Sequence, residues 1–493
     1  MMAPNKESLE KNNKNKVPLK EKLAYGFANT PGTFYGAVMG VIQSFYYGWM
    51  GLTTFWIVIA QVFYAVWNVV NDPWFGNRIN NTKYINKRTG ETQRYIPYIK
   101  FGAPLFSLCF ALVFFPPDFL RGQPDALTIQ VWLFVWYLVS QVAYDTLFTF
   151  VLCAHVALLP QMTLDQQERE KIQLISTVFV IPGSLIGFIL PILYLTNPTA
   201  GKIAQFQILV IGIAIFGLFP YLLLSIYGRE HSEHIPEQSR GIIESLKLAF
   251  KNRSFVIYII YDGVSVFTLN SMLTTLPFFL TWVLGPLNPD MFLFWIPPIT
   301  CLIISIPIIL RIADNYSTKA ALSYSLGALS IGFFVIFFAG IAGSWVLLSV
   351  GLCIVMLSFA GDFILHNPMR ADTIDYDYWK VSGDRREGLY AGIGPLLSKP
   401  MISVALALPT AMMTVFGLIY TEAAQGLEAT QGAVAASLGV LFSFAFFPGL
   451  LCLIGFIIWI KFYPLTGEVV KEMKRELHII HEQKRIKHEE LKK

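Results

Sequence analysis

Ile203 to Tyr227 reads IAQFQILVIGIAIFGLFPYLLLSIY, an apolar run without one charged side chain. Coiled as an α-helix, rising about 1.5 Å per residue, it is long enough to cross the roughly 30 Å of hydrocarbon in a bilayer. Runs of this kind recur. Twelve spans are expected, over residues 22–47, 52–76, 98–116, 128–155, 173–196, 203–227, 255–283, 290–311, 318–338, 343–366, 388–419 and 431–462. The composition agrees: 55% of residues are hydrophobic and 14% charged, too few polar groups to cover a water-soluble body of this size. Short alternating strands of a closed barrel are absent. No small-residue cleavage site follows the first run, so it is expected to stay in the mature chain. The fold class predicted is an all-α membrane protein with twelve transmembrane helices.

Charge placement sets the orientation. Lys14, Lys16, Lys20 and Lys22 precede the first span; Arg78, Lys83, Lys87, Arg88 and Arg94 follow the second; Arg169 and Lys171 follow the fourth; Arg229, Arg240, Lys247, Lys251 and Arg253 follow the sixth. Arg311 and Lys319, then Arg370, Lys380, Arg385 and Arg386, then the C-terminal tail continue the series, whereas the alternate connections hold little beyond Arg121 and Lys202. The positive-inside rule therefore predicts both termini in the cytosol of a multi-pass protein, expected in the plasma membrane. Cys109, Cys153, Cys301, Cys353 and Cys452 all lie in apolar runs without metal-ligand spacing and read as small hydrophobes.

The hydrophilic stretch 228–254 divides the spans six and six. The expected organisation is a cytosolic tail (1–21), a six-helix bundle (22–227), a central cytosolic loop (228–254), a second six-helix bundle (255–462) and a cytosolic tail (463–493). Asp72-Pro73 to Gly76-Asn77-Arg78 after the second span and Arg311-Ile312-Ala313-Asp314 after the eighth both set an acid and an arginine at the cytosolic mouth. Two such halves are the layout of the major facilitator type, in which solute binds near mid-membrane. In the last tail Val469, Val470, Met473, Leu477 and Ile480 follow helical spacing, and a solvated cytosolic helix is expected.

Ionisable groups at bilayer depth cost roughly 2.5–3.5 kcal/mol, which makes each a candidate. Asn68 and Asp72 stand one turn apart on one face of the second span, beside Asn71 and before Pro73, and offer the hard oxygens that a cation such as sodium takes. The alternative is an Asp72 paired with Arg78 at the span's end. Thr149 adds a hydroxyl, and Asp145, one turn away on the same face, is a second pathway acid or the partner of a buried cation. Lys399 interrupts the eleventh span and demands an acid or a water-filled cavity; Asp262 and Asp362 make similar demands in the second half. His155 and His366 are expected to be uncharged structural residues. No Walker loop, His-Glu-x-x-His, nucleophile elbow or paired metal-binding Asp cluster is present, so the chain is expected not to be an enzyme.

Four separated stretches carry a resemblance. They are Lys22-Leu23-Ala24-Tyr25-Gly26, Asn71-Asp72-Pro73 with Gly76, Thr163-Leu164-Asp165-Gln166-Gln167-Glu168-Arg169-Glu170, and Ala371-Asp372-Thr373-Ile374-Asp375-Tyr376 with Arg385-Arg386-Glu387-Gly388. In order and placement they resemble the glycoside-pentoside-hexuronide:cation symporter family of the major facilitator superfamily. The resemblance implies symport with Na+, H+ or Li+, and a cation site on the second, fourth and eleventh spans, where Asp72, Thr149 and Lys399 match the pattern. Asn68 and Leu152 stand where the family usually has acids. Thr33, Val156 and Thr177 stand where it has a sugar-gripping Asp, a stacking Trp and an Arg, which argues against a galactoside.

The function expected is secondary active, cation-coupled symport of a sugar or glycoside-like solute by alternating access. The alternatives are transport of a lysolipid or other amphiphile, which relatives in the same clan carry, and a non-transporting membrane sensor. Asp72, Asn68, Thr149 and Lys399 are the expected coupling residues; Thr33, Asp145, Val156, Thr177, Asp262 and Asp362 are candidates for the solute pathway; Arg78, Glu168, Arg169, Arg311 and Asp314 are candidates for a cytosolic gate. The expected partners are a small-molecule solute, the coupling cation and the lipid bilayer. No cofactor, structural metal or nucleic acid is expected, and the chain is expected to be a monomer.

Overall fold

A computed structural model of the chain describes residues 17–80, 84–85, 92–120, 126–163, 200–230, 249–381, 387–416 and 433–490, and the shorter pieces 168, 171–173, 175–180, 183, 194 and 247. Nine helices among the described residues are long and apolar enough to span a membrane. The chain divides into two compact units, one holding the helices before Ser239 and the other those from Arg240 onward.

The first unit begins with α1 (Leu19–Phe27), α2 (Thr30–Met39) and α3 (Ile42–Tyr46). The expected first span is thus three successive helices: Pro31 falls in the opening turn of α2, and the turn at Gly40 and Val41 separates α2 from α3. Next come α4 (Thr54–Asn80), α5 (Ile96–Val113), α6 (Leu127–Met162), a short apolar helix Lys171–Val180 and α7 (Ala200–Tyr227). The rest of the expected fifth span lies largely outside the described residues. Helix α6 packs against α4 and α5, and α7 packs against α5, α1 and α2. Tyr35 of α2 stacks on Phe110 of α5 at 4.1 Å, and its buried hydroxyl pairs with Ser107 Oγ at 2.8 Å and donates to the Ala214 carbonyl at 2.9 Å. Such satisfaction is what a phenol in an apolar core requires.

Outside the spans, Tyr84–Ile85 and Thr92–Gln93 form a small antiparallel hairpin, with Tyr84 opposite Gln93. The backbone N–H groups of Arg94, Tyr95 and Ile96 donate to the Glu230 carboxylate at 2.7, 2.8 and 2.8 Å. Tyr95, at the N-cap of α5, has no capping side chain of its own, so a residue far along the chain supplies the acceptor that the helix start needs.

The second unit holds α8 (Arg253–Phe278), α9 (Met291–Asn315), α10 (Thr318–Ile341), α11 (Trp345–Tyr376), α12 (Glu387–Val415), α13 (Ala433–Leu441), α14 (Phe447–Phe462) and α15 (Gly467–Glu490). Single π-turns continue α8, α11 and α13. Helices α10 and α11 meet closely at Gly332 and Gly351, where an added Cβ would lie 2.9 Å from Val355 N and 3.0 Å from Ile336 N respectively. Small residues let helix backbones approach in lipid, where apolar side chains gain little by leaving one another's company for their neighbours.

The last helix corrects one expectation. Met473 and Leu477 of α15 are not solvated: they are buried against Tyr378, with Tyr376, Trp379 and Val470 packed around them. Lys474 Nζ lies 3.2 Å from Asp372 Oδ1, and Trp379 Nε1 donates to Glu476. Apolar spacing that reads as one side of a free helix is here a docking stripe against the end of α11.

Candidate functional site

Helix α4 carries a polar stripe at helical spacing. Gln61, Tyr64, Asn68 and Asn71 are buried, whereas Val62, Phe63, Val66, Val69 and Val70 are exposed and form the lipid face. Helix α6 presents the complementary stripe Tyr137, Gln141, Asp145 and Thr149, all buried. The two stripes meet.

Gln61 Nε2 donates to Tyr137 Oη at 2.6 Å and to Gln141 Oε1 at 3.1 Å; Gln43 of α3 donates to the same Tyr137 oxygen at 2.8 Å. One turn further, Tyr64 Oη donates to Asp145 Oδ1 at 3.0 Å. Asn71 Nδ2 reaches both Asp145 Oδ2, at 3.3 Å, and Thr149 Oγ1, at 3.1 Å. Asp145 is therefore a buried carboxylate held by donors on both of its oxygens.

Several amide oxygens along the two stripes lack a donor. Asn68 Oδ1, Asn71 Oδ1, Gln61 Oε1 and Gln43 Oε1 are buried without a hydrogen-bond partner. Gln43 and Gln61 stand at the level of Tyr137, and Asn71 at that of Asp145 and Thr149; Asn68 Nδ2 is unpartnered as well. Amide carbonyls beside a carboxylate are the ligand type of a hard monovalent cation. No group of three or more His, Cys, Asp or Glu side chains able to hold a metal ion occurs among the described residues.

Asp72 follows Asn71 on α4, which continues as helix to Asn80 through Pro73; the Asp72 side chain lies outside the described residues, as does Arg169. Thr149 joins the stripe through Asn71, and Asn68 stands one turn earlier on the same helix face. Lys399 is half-buried on α12 in the second unit. The remaining pathway candidates of the first unit stand apart. The Thr33 hydroxyl donates to its own helix, to Thr30 O at 2.9 Å and Asn29 O at 3.2 Å, and Thr177 does the same to Gln173 O at 3.0 Å. Val156 is exposed on the surface of α6.

Of the gate candidates, Glu168 is buried and bound by Lys22 and, at 2.9 Å, by Lys171. Both cations belong to its own unit, so Glu168 ties α1 to the segment after α6. Gly26 sits beside this tie, where a Cβ would lie 2.7 Å from Ile175 Cγ2. Arg78 lies over the Trp74 ring at 5.6 Å, and Arg311 and Asp314 are exposed at the end of α9.

In the second unit Asp262 and Asp362 come together around His366. His366 Nε2 lies 3.3 Å from Asp262 Oδ1 and 3.0 Å from Tyr258 Oη; Nδ1 lies 3.7 Å from Asp362 Oδ1, which also accepts from Tyr261 Oη at 2.9 Å. His366 thus stands between two carboxylates and beside Tyr258, whereas His155 is stacked on Tyr25 at 4.3 Å with Nε2 3.1 Å from the Tyr25 carbonyl.

Sequence reasoning missed Gln61, Tyr64, Tyr137 and Gln141. The available signal was their i, i+3 and i+4 spacing with Asn68, Asn71, Asp145 and Thr149 inside apolar spans.

A family model described as MFS/sugar transport protein matches residues 22–467. The chain is 24% identical over 484 residues to the uncharacterized symporter YnaJ of Bacillus subtilis, covering 94% of this chain and 96% of that one. It is 26% identical over 190 residues to the sodium-dependent lysophosphatidylcholine symporter 1-B of Danio rerio, covering 38% of this chain and 33% of the relative. The crystal structure of a D-xylose-proton symporter superposes with a TM-score of 0.56 at 13% identity, over 90% of this chain and 97% of that one. The fold is that of the major facilitators.

Proposed function

We propose, from the premise that the chain belongs to the MFS/sugar transport protein family, that this multi-pass membrane transporter is a cation-coupled symporter of a sugar or glycoside-like solute. The observation that carries the reading is the pair of facing stripes on α4 and α6, with the Asp145 carboxylate beside amide oxygens that have no donor. A cation there would satisfy them. Asp72, Asn68 and Thr149 complete the proposed coupling site, and Lys399 is the proposed charge partner that neutralises it in the cation-free carrier, so that reorientation by alternating access need not carry a bare charge. The ion is Na+ or H+, with Li+ a substitute for Na+; the similarity to a sodium-dependent symporter supports Na+. Arg78, Arg169, Arg311 and Asp314 are proposed gate residues. Both termini are proposed to face the cytosol across the plasma membrane, with the monomer as the working unit.

The similarity to a sodium-dependent lysophosphatidylcholine symporter favours a second reading, in which the solute is a lysolipid or similar amphiphile. Thr33 and Thr177, whose hydroxyls serve their own helices, and the apolar Val156 support it by leaving fewer groups to grip a sugar.

The experiment is thermal unfolding of the purified chain in sodium, lithium or choline chloride at matched ionic strength and two pH values, beside Asp72→Asn and Asp145→Asn. It is followed by flux into liposomes under the same gradients. Stabilisation by sodium or lithium that both variants lose is expected. Equal stability in all three salts, with flux that follows only a pH gradient, would leave the proton as coupling ion. Flux of labelled lysolipid in place of sugars would select the second reading, and no flux of either would leave a sensor.

A further inference from the structure

The Asp262–His366–Asp362 cluster has no part in the coupling site of the first unit, yet it sets three ionisable groups within membrane-spanning helices of the second. Such groups are expensive at that depth unless they pair or work. A neutral imidazole has one N–H and one lone pair. Here the ring lies between two carboxylates, 3.3 Å from Asp262 Oδ1 at Nε2 and 3.7 Å from Asp362 Oδ1 at Nδ1, and both attract the doubly protonated form, whereas Tyr258 Oη at 3.0 Å from Nε2 can donate to the lone pair of the neutral one. With that ring charged, the two carboxylates and one imidazolium carry a net charge of minus one; a further proton on either carboxyl brings the trio to neutrality.

Among the described residues the trio has these neighbours. From α8 come Tyr258 and Tyr261, both hydroxyl donors or acceptors; from α11 itself comes Arg370, close enough to act electrostatically on His366 and Asp262. Ser398 of α12 and Cys452 of α14 border the carboxylates of Asp262 and Asp362 and are neutral. Helices α9 and α10 also pack on α11, but Arg311, Asp314 and Lys319 form no ion pair with the cluster among the described residues; Lys319 instead donates to the Tyr463 carbonyl at 2.7 Å. Lys474 of α15 is engaged with Asp372.

We propose that Asp262, His366 and Asp362 form a proton-binding site within the second unit, in addition to the cation site of the first. The bond changes are those of acid–base exchange alone: hydronium gives a proton to the His366 ring or to an Asp262 or Asp362 oxygen and leaves as water, and the proton returns to water the same way. The chain then binds a proton whichever cation the first unit takes.

The test uses the full chain, labelled with 13C at the imidazole carbons of its seven histidines, in detergent or liposomes. One ring signal, absent in His366→Gln, is expected to titrate between about pH 5 and pH 9. It is expected to be displaced along the pH axis by about one unit or more in Asp262→Asn and in Asp362→Asn. Should His366→Gln not accumulate, the signal displaced by both Asp variants assigns itself. A His366 signal that does not titrate in that window, or one with the same midpoint in all three proteins, overturns the proposal. A midpoint that moves with sodium chloride but not with choline chloride overturns it too, because the cluster would then hold a metal cation.

Discussion

The side-chain nitrogen of Asn71 lies 3.3 Å from Oδ2 of Asp145, which joins a residue beside Asp72 to a carboxylate on the neighbouring helix. Where the resemblance leads one to look for an acid at Leu152, the acid that faces α4 stands at Asp145, almost two turns earlier. Two routes to the same layer are thus open to a symporter: a carboxylate on α4 or one on α6.

Asp145→Asn keeps the side chain's shape and removes its charge. It is expected to lower cation-driven flux at least about tenfold, with a folded protein still recovered, since a buried charge within a span persists only where it is used. Tyr64→Phe leaves Asp145 with one donor fewer and is expected to cost about 1–3 kcal/mol of stability, seen as a lower thermal midpoint. Unchanged flux in the first and an unchanged midpoint in the second would remove Asp145 from the site.

The Glu168 carboxyl, outside the spans, is held at about 2 against an ordinary 4.5, first by the hydrogen bond from Lys22 and further by Lys171, which together outweigh its burial. A carboxyl depressed in the folded state stabilises it fully above the unfolded value and loses that contribution as pH falls through the folded one. Glu168→Gln is therefore expected to unfold at a lower temperature than the natural chain at neutral pH. The gap should close as pH falls from 4.5 toward 2. A gap independent of pH over that window would mean that charge is not what ties α1 to this segment.

Gly332→Ala and Gly351→Ala each place a methyl group against backbone atoms of the opposite helix, which cannot swing aside as a side chain can. Overpacking of this kind costs about 1–3 kcal/mol or more. Each variant is expected to show a clearly lower thermal midpoint and a smaller monodisperse fraction on size-exclusion chromatography, whereas Gly201→Ala, which meets nothing within 4 Å, serves as the neutral control.

Met473→Ala removes a fully buried side chain from beneath α15, a change that costs about 2–5 kcal/mol in a packed core. Tryptic cleavage after Lys471, Lys474 or Arg475 is expected to accelerate about tenfold or more in native membranes. Cleavage at the natural rate would show the helix to be held by Lys474–Asp372 and Trp379–Glu476 alone.

The spans are legible because an uninterrupted apolar run has one cheap solution in lipid, a helix that satisfies its own backbone. The division of the first span escapes a reading of 22–47 as one continuous run, although Asn29-Thr30-Pro31-Gly32 and Gly40 are turn residues inside it. Asn68, Asp145 and Thr149 stand out from the sequence because they are polar where polarity is costly. Their partners do not: Tyr64 and Tyr137 resemble the aromatic bulk of any membrane chain until a carboxylate or an amide is brought against them. The pairing of Asp262 with His366 depends on α8 meeting α11, and nothing local to either helix encodes it. The docking of α15 hides for the opposite reason, since its charges read as solvation whereas its thin apolar stripe carries the contact.

That docking gives the second unit a handle. Because α15 is pinned to the end of α11 by Met473, Leu477 and the Lys474–Asp372 pair, a fluorophore or spin label on its outward side, at Lys471 for example, travels with the unit's membrane helices instead of wandering on a tether. Paired with a second label in the first unit, it reports a distance between the two units in real time, without touching a residue in any span.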